Sequence, residues 1–407
     1  MSRVRKSEAG KRARRLAENL EGWAFITPAV LLVGVFSIFP IFFTLYISLF
    51  RWRIRRGDFI GLHNYLNLFG SSRIALLVLA ACLVLVGGGA LLRLRRRIAE
   101  RSGAGWPAGA GGGLLIAGGV LLLLYCVAFM SRDGDQQMLD SFRITVWYSL
   151  GTVPFQLFFG LILAVLLDRK FRGRQAYRVV FLLPYIVPSV ASAAVFERIF
   201  SLRPEALANQ LLGLFHGKPL QWLYEPTGII KLFFHTGAPA GGGGAGATGA
   251  GLAPVAGYLA TWAQGPSLAL VAVMLFNWWV FIGYYALIFL NGLSQIPREI
   301  YDAAEVDGAK RATVFGRIIV PLVSPSTYFL SLIGIIGTFK AFNHIYVLRN
   351  TATQGTIDPM SVYIFFVFFR QSQFGYAAAL SVALFIIVFL LTLLERRLIE
   401  GRVFYGE

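Results

Sequence analysis

The amino-acid sequence predicts an all-α polytopic membrane protein with about eight transmembrane helices, and three observations lead to this fold class. Hydrophobic residues make up 57% of the 407 residues, and the mean hydropathy is +0.65. Only 14% of the residues are charged, which is too little polar surface for an ordinary soluble domain. Several runs of about 18 residues or more carry almost no charge, the length that about 30 Å of hydrocarbon requires of a helix.

The apolar runs define eight predicted spans. Each should be a helix, because a chain exposed to lipid must satisfy its backbone hydrogen bonds internally. In order, the predicted spans are Ala24–Phe50, Ile74–Leu92, Gly111–Met130, Ile144–Leu167, Val179–Phe200, Leu268–Leu290, Tyr328–Leu348 and Tyr376–Leu394. The first run is long enough to span and lacks a small-residue cleavage site, so we expect a membrane helix there rather than a signal peptide.

Basic residues between the spans predict the orientation. We expect a multi-pass protein of the cytoplasmic (inner) membrane of a bacterium or archaeon. Lys and Arg concentrate in cytoplasmic loops, so we expect both termini to lie in the cytoplasm. This orientation places the basic clusters at 3–15, 93–101, 169–178, 310–317 and 396–402 inside. One segment disagrees, because Arg51, Arg53, Arg55 and Arg56 fall on the outer side. The net charge of +18 therefore reflects short loop clusters, and nucleic acid is not an expected partner.

Cysteines and glycines restrict the chemistry. Cys82 and Cys126 lie inside predicted spans, which disfavours a disulfide scaffold or a thiol metal site and favours a packing role. Residues 237–251, GAPAGGGGAGATGAG, fall outside and should form a flexible loop. No segment has the spacing of a Walker motif, so we expect no cofactor on this chain, and ATP-driven work would need a separate ATPase.

The segment Ile296–Pro325 should form a short helix, a turn and a second helix on the cytoplasmic face. Gly308 is a natural stop, because glycine adopts the left-handed conformation that closes a helix. The second helix should start near Ala309, and Pro321 and Pro325 should interrupt its entry into the next span. Considered by itself, this pattern is that of an ordinary amphipathic loop.

The same segment resembles the cytoplasmic EAA loop of ABC-importer permeases. That motif has an acidic residue, two alanines, a glycine, and Ile-x-Leu-Pro after a nine-residue gap. The matching positions here are Asp302, Ala303, Ala304, Gly308, Ile318, Val320 and Pro321. In the family this loop docks into a groove of the ATPase subunit. The resemblance implies that the ATPase-coupling residues are Tyr301, Asp302, Ala303, Ala304, Asp307, Gly308 and Ala309.

Further segments resemble the carbohydrate group of these permeases, which includes maltose and glycerol-phosphate permeases. They are Ile26–Trp52, Gly61–Phe69, Phe171–Phe196 with its RGR-x-x-x-R and LPY-x-x-P motifs, and Gly375–Leu398. The resemblance implies a six-helix permease core plus an inserted helix pair. The expected divisions are a basic N-terminal segment 1–22, a first span with its outer segment 23–73, an inserted pair 74–130, a core 131–396 containing the outer loop 237–251 and the coupling loop 296–325, and a cytoplasmic tail 397–407.

In this family the sugar lies near the bilayer midplane against two of the spans. The resemblance implies a substrate path along Asn277, Trp279, Phe281, Tyr284, Thr338, Lys340 and Asn343. The four positions in the earlier span lie on or near one helical face by their spacing, and their rings could stack on sugars. Packing or interfacial anchoring is the alternative for the aromatic residues. Lys340 could meet an anionic sugar or extend to the outer interface.

The sequence thus predicts a non-enzymatic permease subunit of an ATP-driven sugar importer. The resemblance implies four kinds of partner: a second homologous permease, two copies of a cytoplasmic ABC ATPase, an extracytoplasmic sugar-binding protein and membrane lipid. A secondary transporter or channel that works alone is the alternative, and it predicts paired acidic or His residues inside the spans, which are sparse here. A scaffold or sensor would explain the hydrophobicity but not the EAA spacing.

Overall fold

The computed structural model describes residues 19–102, 106–169, 171–234 and 253–399. The Gly-rich loop 237–251 lies outside the described residues, as do most of the predicted N-terminal segment and the end of the predicted tail. The described chain is almost entirely helical, with one two-stranded hairpin. The predicted all-α fold class is therefore confirmed.

The first half of the chain forms a long helix, a hairpin and six further helices. Their bounds are α1 Asn19–Ser48, β1 Phe50–Trp52, β2 Arg56–Phe59, α2 His63–Phe69, α3 Ser72–Ser102, α4 Trp106–Asp133, α5 Gln136–Asp168, α6 Arg174–Ile186 and α7 Ser189–Ile199. The second half continues with α8 Leu207–Leu214, α9 Ile229–Phe234, α10 Ala253–Ala263, α11 Leu268–Ser294, α12 Arg298–Val306, α13 Arg311–Leu322, α14 Ser324–Phe339, α15 Asn343–Leu348, α16 Met360–Arg370 and α17 Phe374–Ile399.

Among the described residues, six helices are long and apolar enough to cross a membrane, and two bent pairs bring the number to eight. The six are α1, α3, α4, α5, α11 and α17. The bent pairs are α6 with α7, and α13 with α14. Eight predicted spans thus correspond to eight apolar segments, and the chain is a multi-pass membrane protein.

Two predicted spans are not continuous helices. Val179–Phe200 was expected to be one span, but α6 and α7 meet at 93°. Val187 adopts an extended conformation before Pro188, and proline both lacks an N–H and disfavours helix in the residue before it. The later span Tyr328–Leu348 is also divided, because α14 ends at Phe339 and α15 begins at Asn343. Helix α13 runs through Pro321, and its 66° junction with α14 lies at Val323.

The core of the bundle is the packing of α5 against α11, with α14 and α6 against the same pair. Glycines allow this close approach. A Cβ at Gly160 would lie 2.7 Å from Tyr285 Cβ, and one at Gly334 would lie 2.4 Å from the Tyr285 hydroxyl. In lipid, small residues at helix contacts increase the van der Waals contact that drives helix association.

Two buried clusters show which connecting segments lie at each end of the bundle. At one end, Leu68 packs with the start of α5, with α16 and with the start of α17. At the other end, the last turns of α5 and α11 pack against Ile319 and Val323. The hairpin, α2 and the segment 349–373 therefore share the first end, and α12 and α13 share the second.

The β-hairpin carries the four arginines that fall on the outer side, contrary to the usual concentration of Lys and Arg in cytoplasmic loops (the charge rule below). Its register pairs Phe50 with Phe59 and Trp52 with Arg56. The Asn64 amide fixes the hairpin to α1 by donating to the carbonyls of Ser48 at 2.7 Å and Phe50 at 3.1 Å. The Arg56 guanidinium lies 4.4 Å from the centre of the Phe50 ring, which accommodates one of the four charges beside an aromatic face. The hairpin thus lies at the end of the bundle opposite α12.

The inserted pair forms an antiparallel hairpin of helices, α3 and α4, that pack along their length. Cys126 is buried with Ile74, Met130 and Leu139, which joins the pair to the start of α5. Helix α10 contacts α4 as well. The pair is therefore packed against the rest of the bundle at the end that carries the hairpin.

Candidate functional site

Helix α12 is a short amphipathic helix closed by a glycine turn. It starts after Pro297, with Glu299 in the first turn, where the partial positive charge of the helix end favours an acidic side chain. Gly308 has φ of +69°, and its N–H donates to the Glu305 carbonyl at 3.0 Å. The Ala309 N–H donates to the Ala304 carbonyl at 2.9 Å, which completes the helix closure. The predicted stop is confirmed, and the next helix begins at Arg311, two residues after Ala309.

One side of α12 packs against its own chain. Ala304 is only 8% exposed, and Ile300 and Tyr301 pack against the buried cluster formed by the ends of α5, α11 and α13. Burial raises the pKa of the Tyr301 hydroxyl, and the nearby carboxylate Asp168 raises it further. Ala304, one of the expected ATPase-coupling residues, thus lies on the buried side of the amphipathic helix.

The opposite side of α12 is open. Asp302, Ala303, Glu305 and Asp307 are exposed, and Val306 is 88% exposed. The open side of α12 therefore presents one almost fully exposed valine among carboxylates, on a helix that is held by its other face. Sequence reasoning missed Val306, although an apolar residue among acidic ones was the available signal.

Helix α11 carries four predicted path residues, and they do not share one face. Asn277 is buried, and its side-chain oxygen accepts from the Gln156 amide of α5 at 2.5 Å. Trp279 is 45% exposed. Because consecutive residues of an α-helix are about 100° apart, two residues separate these side chains by about 200°. The expectation of a single face was wrong for this pair.

An aromatic group extends from α11 onto the bent pair α6–α7. Tyr185 of α6 stacks on Tyr284 at 4.5 Å between ring centres and meets the Phe281 ring edge-on at 5.5 Å. Phe196 of α7 lies 5.1 Å from the Trp279 ring. The rings of Tyr185, Phe281 and Tyr284 form a partly exposed surface beside the 93° bend, called the aromatic face below, and Phe196 and Trp279 form a separate ring pair. Sequence reasoning missed Tyr185 and Phe196, although the LPY motif had drawn attention to the segment.

The remaining predicted path residues surround the break between α14 and α15. Thr338 is buried and its hydroxyl donates to Ser149 Oγ of α5 at 2.9 Å. Lys340 and Asn343 are exposed on either side of the break. His344, the next residue, is buried, with its Nε2 2.7 Å from the Tyr148 hydroxyl. The structure thus separates buried polar residues, which join helices, from exposed ones that can contact a solute.

A polar cavity of about 400 Å³ opens at the end of the bundle that carries the hairpin. Arg349 pairs with Asp358 through two contacts of 2.7 and 3.0 Å, and its guanidinium lies 4.0 Å from the Phe366 ring centre. Other polar side chains in the wall are Gln137, Asp140, Ser141, Gln354, Tyr363 and Gln371. Amides and carboxylates are groups that form hydrogen bonds with sugar hydroxyls, and an aromatic ring can stack on a sugar ring. Within the described ranges, no three His, Cys, Asp or Glu side chains are grouped as a metal site requires.

Comparison with known proteins gives one family match. The model of the family described as "Binding-protein-dependent transport system inner membrane component" matches residues 156–400. This interval contains α11, α12 and both bent pairs, and therefore includes the aromatic face and the exposed side of α12.

Curated relatives and a solved structure agree with that match. A probable ABC transporter permease protein, YesP of Bacillus subtilis (strain 168), is 30% identical over 265 residues, which are 64% of this chain and 72% of the relative. The trehalose/maltose transport system permease protein MalF of Thermococcus litoralis is 25% identical over 61% of this chain and 70% of its own length. A crystal structure of a bacterial alginate ABC transporter, in complex with a periplasmic protein that holds an alginate pentasaccharide, contains a chain with a similar fold. Its TM-score is 0.50 at 18% identity, covering 70% of this chain and 88% of that one.

Proposed function

Because the chain belongs to the family of binding-protein-dependent transport system inner-membrane components, we propose that it is a permease subunit of an ATP-driven sugar importer. It would form half of the translocation pathway and carry no ATPase activity itself. ATP would bind to a separate ATPase, and a second homologous permease would complete the pathway. Two ATPase copies would then serve the two permeases.

The exposed side of α12 is the observation that carries this proposal. A helix that is fixed by Ala304 and Tyr301 on one side can transmit force only through the other, where Val306 projects. Docking of that side into a groove of the ATPase would move α12, and α13 would pass the movement to α14. Orientation with α12 in the cytoplasm follows from the basic clusters on the same side.

The substrate path is proposed to run along the aromatic face. Rings such as Tyr284 and Phe281 can stack on sugar rings. The uncharged amide of Asn343 can form hydrogen bonds with the sugar hydroxyls. These side chains are partly exposed in the single chain, so the second permease would close the path from the other side. A sugar-binding protein would deliver its ligand at the end with the polar cavity. The names of relatives such as the trehalose/maltose permease support sugar as the solute class.

The test changes the exposed valine of α12. Val306→Asp should leave the chain folded, because the side chain contacts little of its own protein. It should lower the amount of ATPase that co-purifies by about tenfold or more, which corresponds to about 1.4 kcal/mol of binding free energy lost at the centre of an interface. Sugar uptake in cells should fall in parallel. Co-purification is measured on the complete complex, and uptake is measured in cells that contain that complex.

Thr313→Ala is the matched control, since Thr313 is exposed on the neighbouring helix α13. Ala304 is unsuitable for this test, because a larger side chain there would disturb the packing of the chain itself. If Val306→Asp retains the ATPase and transports at the control rate, α12 is not the coupling helix. Gradient-driven sugar uptake by the isolated chain in liposomes would instead support a transporter that works alone.

A further inference from the structure

A basic groove lies at the α12 end of the bundle, beside the coupling helix. Its volume is about 690 Å³. Residues 171–175, which end the connection from α5 and begin α6, form one wall, and Arg298, the first residue of α12, forms the other. The lining residues are Phe171, Arg172, Gly173, Arg174, Gln175 and Arg298.

The charges in the groove all have one sign. Three of its six lining residues are arginines, and none is acidic. Arg174 donates to the Asp168 carbonyl at 3.3 Å, which also caps the C-terminal end of α5. Among the described residues, none of these three guanidinium groups lies within the 4.0 Å of a carboxylate that defines an ion pair. Cations that line one groove repel one another, and an anion bound among them offsets that repulsion.

An apolar surface begins at the edge of the groove. Phe171 is 42% exposed, and α6 starts only three residues later at Arg174. Along α6, Tyr177, Val180 and Leu183 are about half exposed. A cationic groove at the start of an exposed apolar helix has the two parts that a phospholipid requires, one for its phosphate and one for its acyl chains.

We propose that this groove binds the phosphate of an anionic phospholipid of the inner leaflet. The arginines hold the phosphate, since guanidinium groups match its geometry with paired hydrogen bonds, and the acyl chains lie along α6. Because Arg172 and Arg298 lie on different walls, the bound lipid links the α5–α6 connection to the start of α12. This site is separate from the solute path, and it depends on the proposed function only for the orientation of α12 towards the cytoplasm.

The experiment measures lipid retained by the purified full-length chain. Detergent-solubilised protein is equilibrated with phosphatidylglycerol or phosphatidylcholine, and bound lipid is counted by native mass spectrometry. The unaltered chain should retain phosphatidylglycerol in preference to phosphatidylcholine. Arg172→Gln combined with Arg298→Gln should lower phosphatidylglycerol retention at least fivefold. Arg317→Gln, an exposed arginine at the same end but outside the groove, should leave retention unchanged.

Several results would overturn the proposal. If the two lipids are retained equally, or if the double variant and the Arg317→Gln control retain equal amounts, the groove is not a site for an anionic headgroup. Complete displacement of the lipid by millimolar inorganic phosphate would indicate a site for a free anion. Loss of ATPase co-purification in the double variant, with lipid retention unchanged, would identify the groove as a protein contact.

Discussion

Buried polar residues inside the bundle join helices in pairs. Gln156 of α5 donates to the backbone oxygen of Asn277 as well as to its side-chain oxygen. Tyr148 meets His344, and Thr338 meets Ser149. Each pair connects α5 to a different helix of the core. Each also provides a hydrogen-bond partner for polar groups that would otherwise be buried without one in an apolar interior. At the scale of the residue, Asn277 and Thr338 are therefore structural side chains that fix helix register.

A double-mutant cycle tests the structural role of Asn277. Asn277→Leu should destabilise the chain by about 1–2 kcal/mol, because the Gln156 amide loses its partner in an apolar interior. Adding Gln156→Leu should cost less than the sum of the single changes. Denaturant unfolding in detergent gives the free energies, and uptake is normalised to folded protein. If the losses in unfolding free energy are additive, or if Asn277→Leu loses uptake at unchanged stability, Asn277 lines the substrate path instead.

Helices α6 and α11 approach so closely that one position must be glycine. A Cβ at Gly283 would lie 1.8 Å from the Phe181 carbonyl oxygen, well inside van der Waals contact. The bend after Ile186 allows α6 to lie across α11 here, and the same crossing stacks Tyr185 on Tyr284. At the scale of the element, the aromatic face exists because a broken span packs against a continuous one.

Gly283→Ala should therefore separate the two helices. The expected loss is about 1–3 kcal/mol of unfolding free energy, the usual cost of overpacking. Thermal unfolding in detergent measures it. Gly337→Ala in α14 is the control, because a Cβ there has no neighbour within 4 Å, and it should be neutral or stabilising by up to about 1 kcal/mol. Equal midpoints for the two variants would contradict the close packing of α6 on α11.

The whole molecule has two unlike ends. One carries the β-hairpin, the polar cavity and the segment with α8 and α9; the other carries α12, the basic groove and the start of α13. The two ends agree with the orientation that the loop charges predict, apart from the arginines of the hairpin. Packing of the hairpin against α1 and α17 keeps those arginines on the first end despite the charge rule.

Labelling of single cysteines tests this orientation. Phe215 is 83% exposed after α8, and Thr313 is exposed on α13. In a background without Cys82 and Cys126, a membrane-impermeant maleimide added to intact cells should label Phe215→Cys. It should reach Thr313→Cys only after the membrane is opened. Labelling of both positions in intact cells would contradict the proposed arrangement of the two ends.

The sequence by itself determined the all-α class, the eight apolar segments and the glycine stop of α12. Those properties are local. Hydropathy decides which segments leave water, and a glycine such as Gly308 adopts the left-handed conformation with little strain because it has no Cβ. Only the tertiary structure decided that Asn277 faces inward while Trp279 faces outward. The physical reason is that lipid and protein interior are both apolar, so the pattern of a membrane helix does not specify which face is packed. The 93° bend that creates the aromatic face likewise depends on how α6 packs on α11.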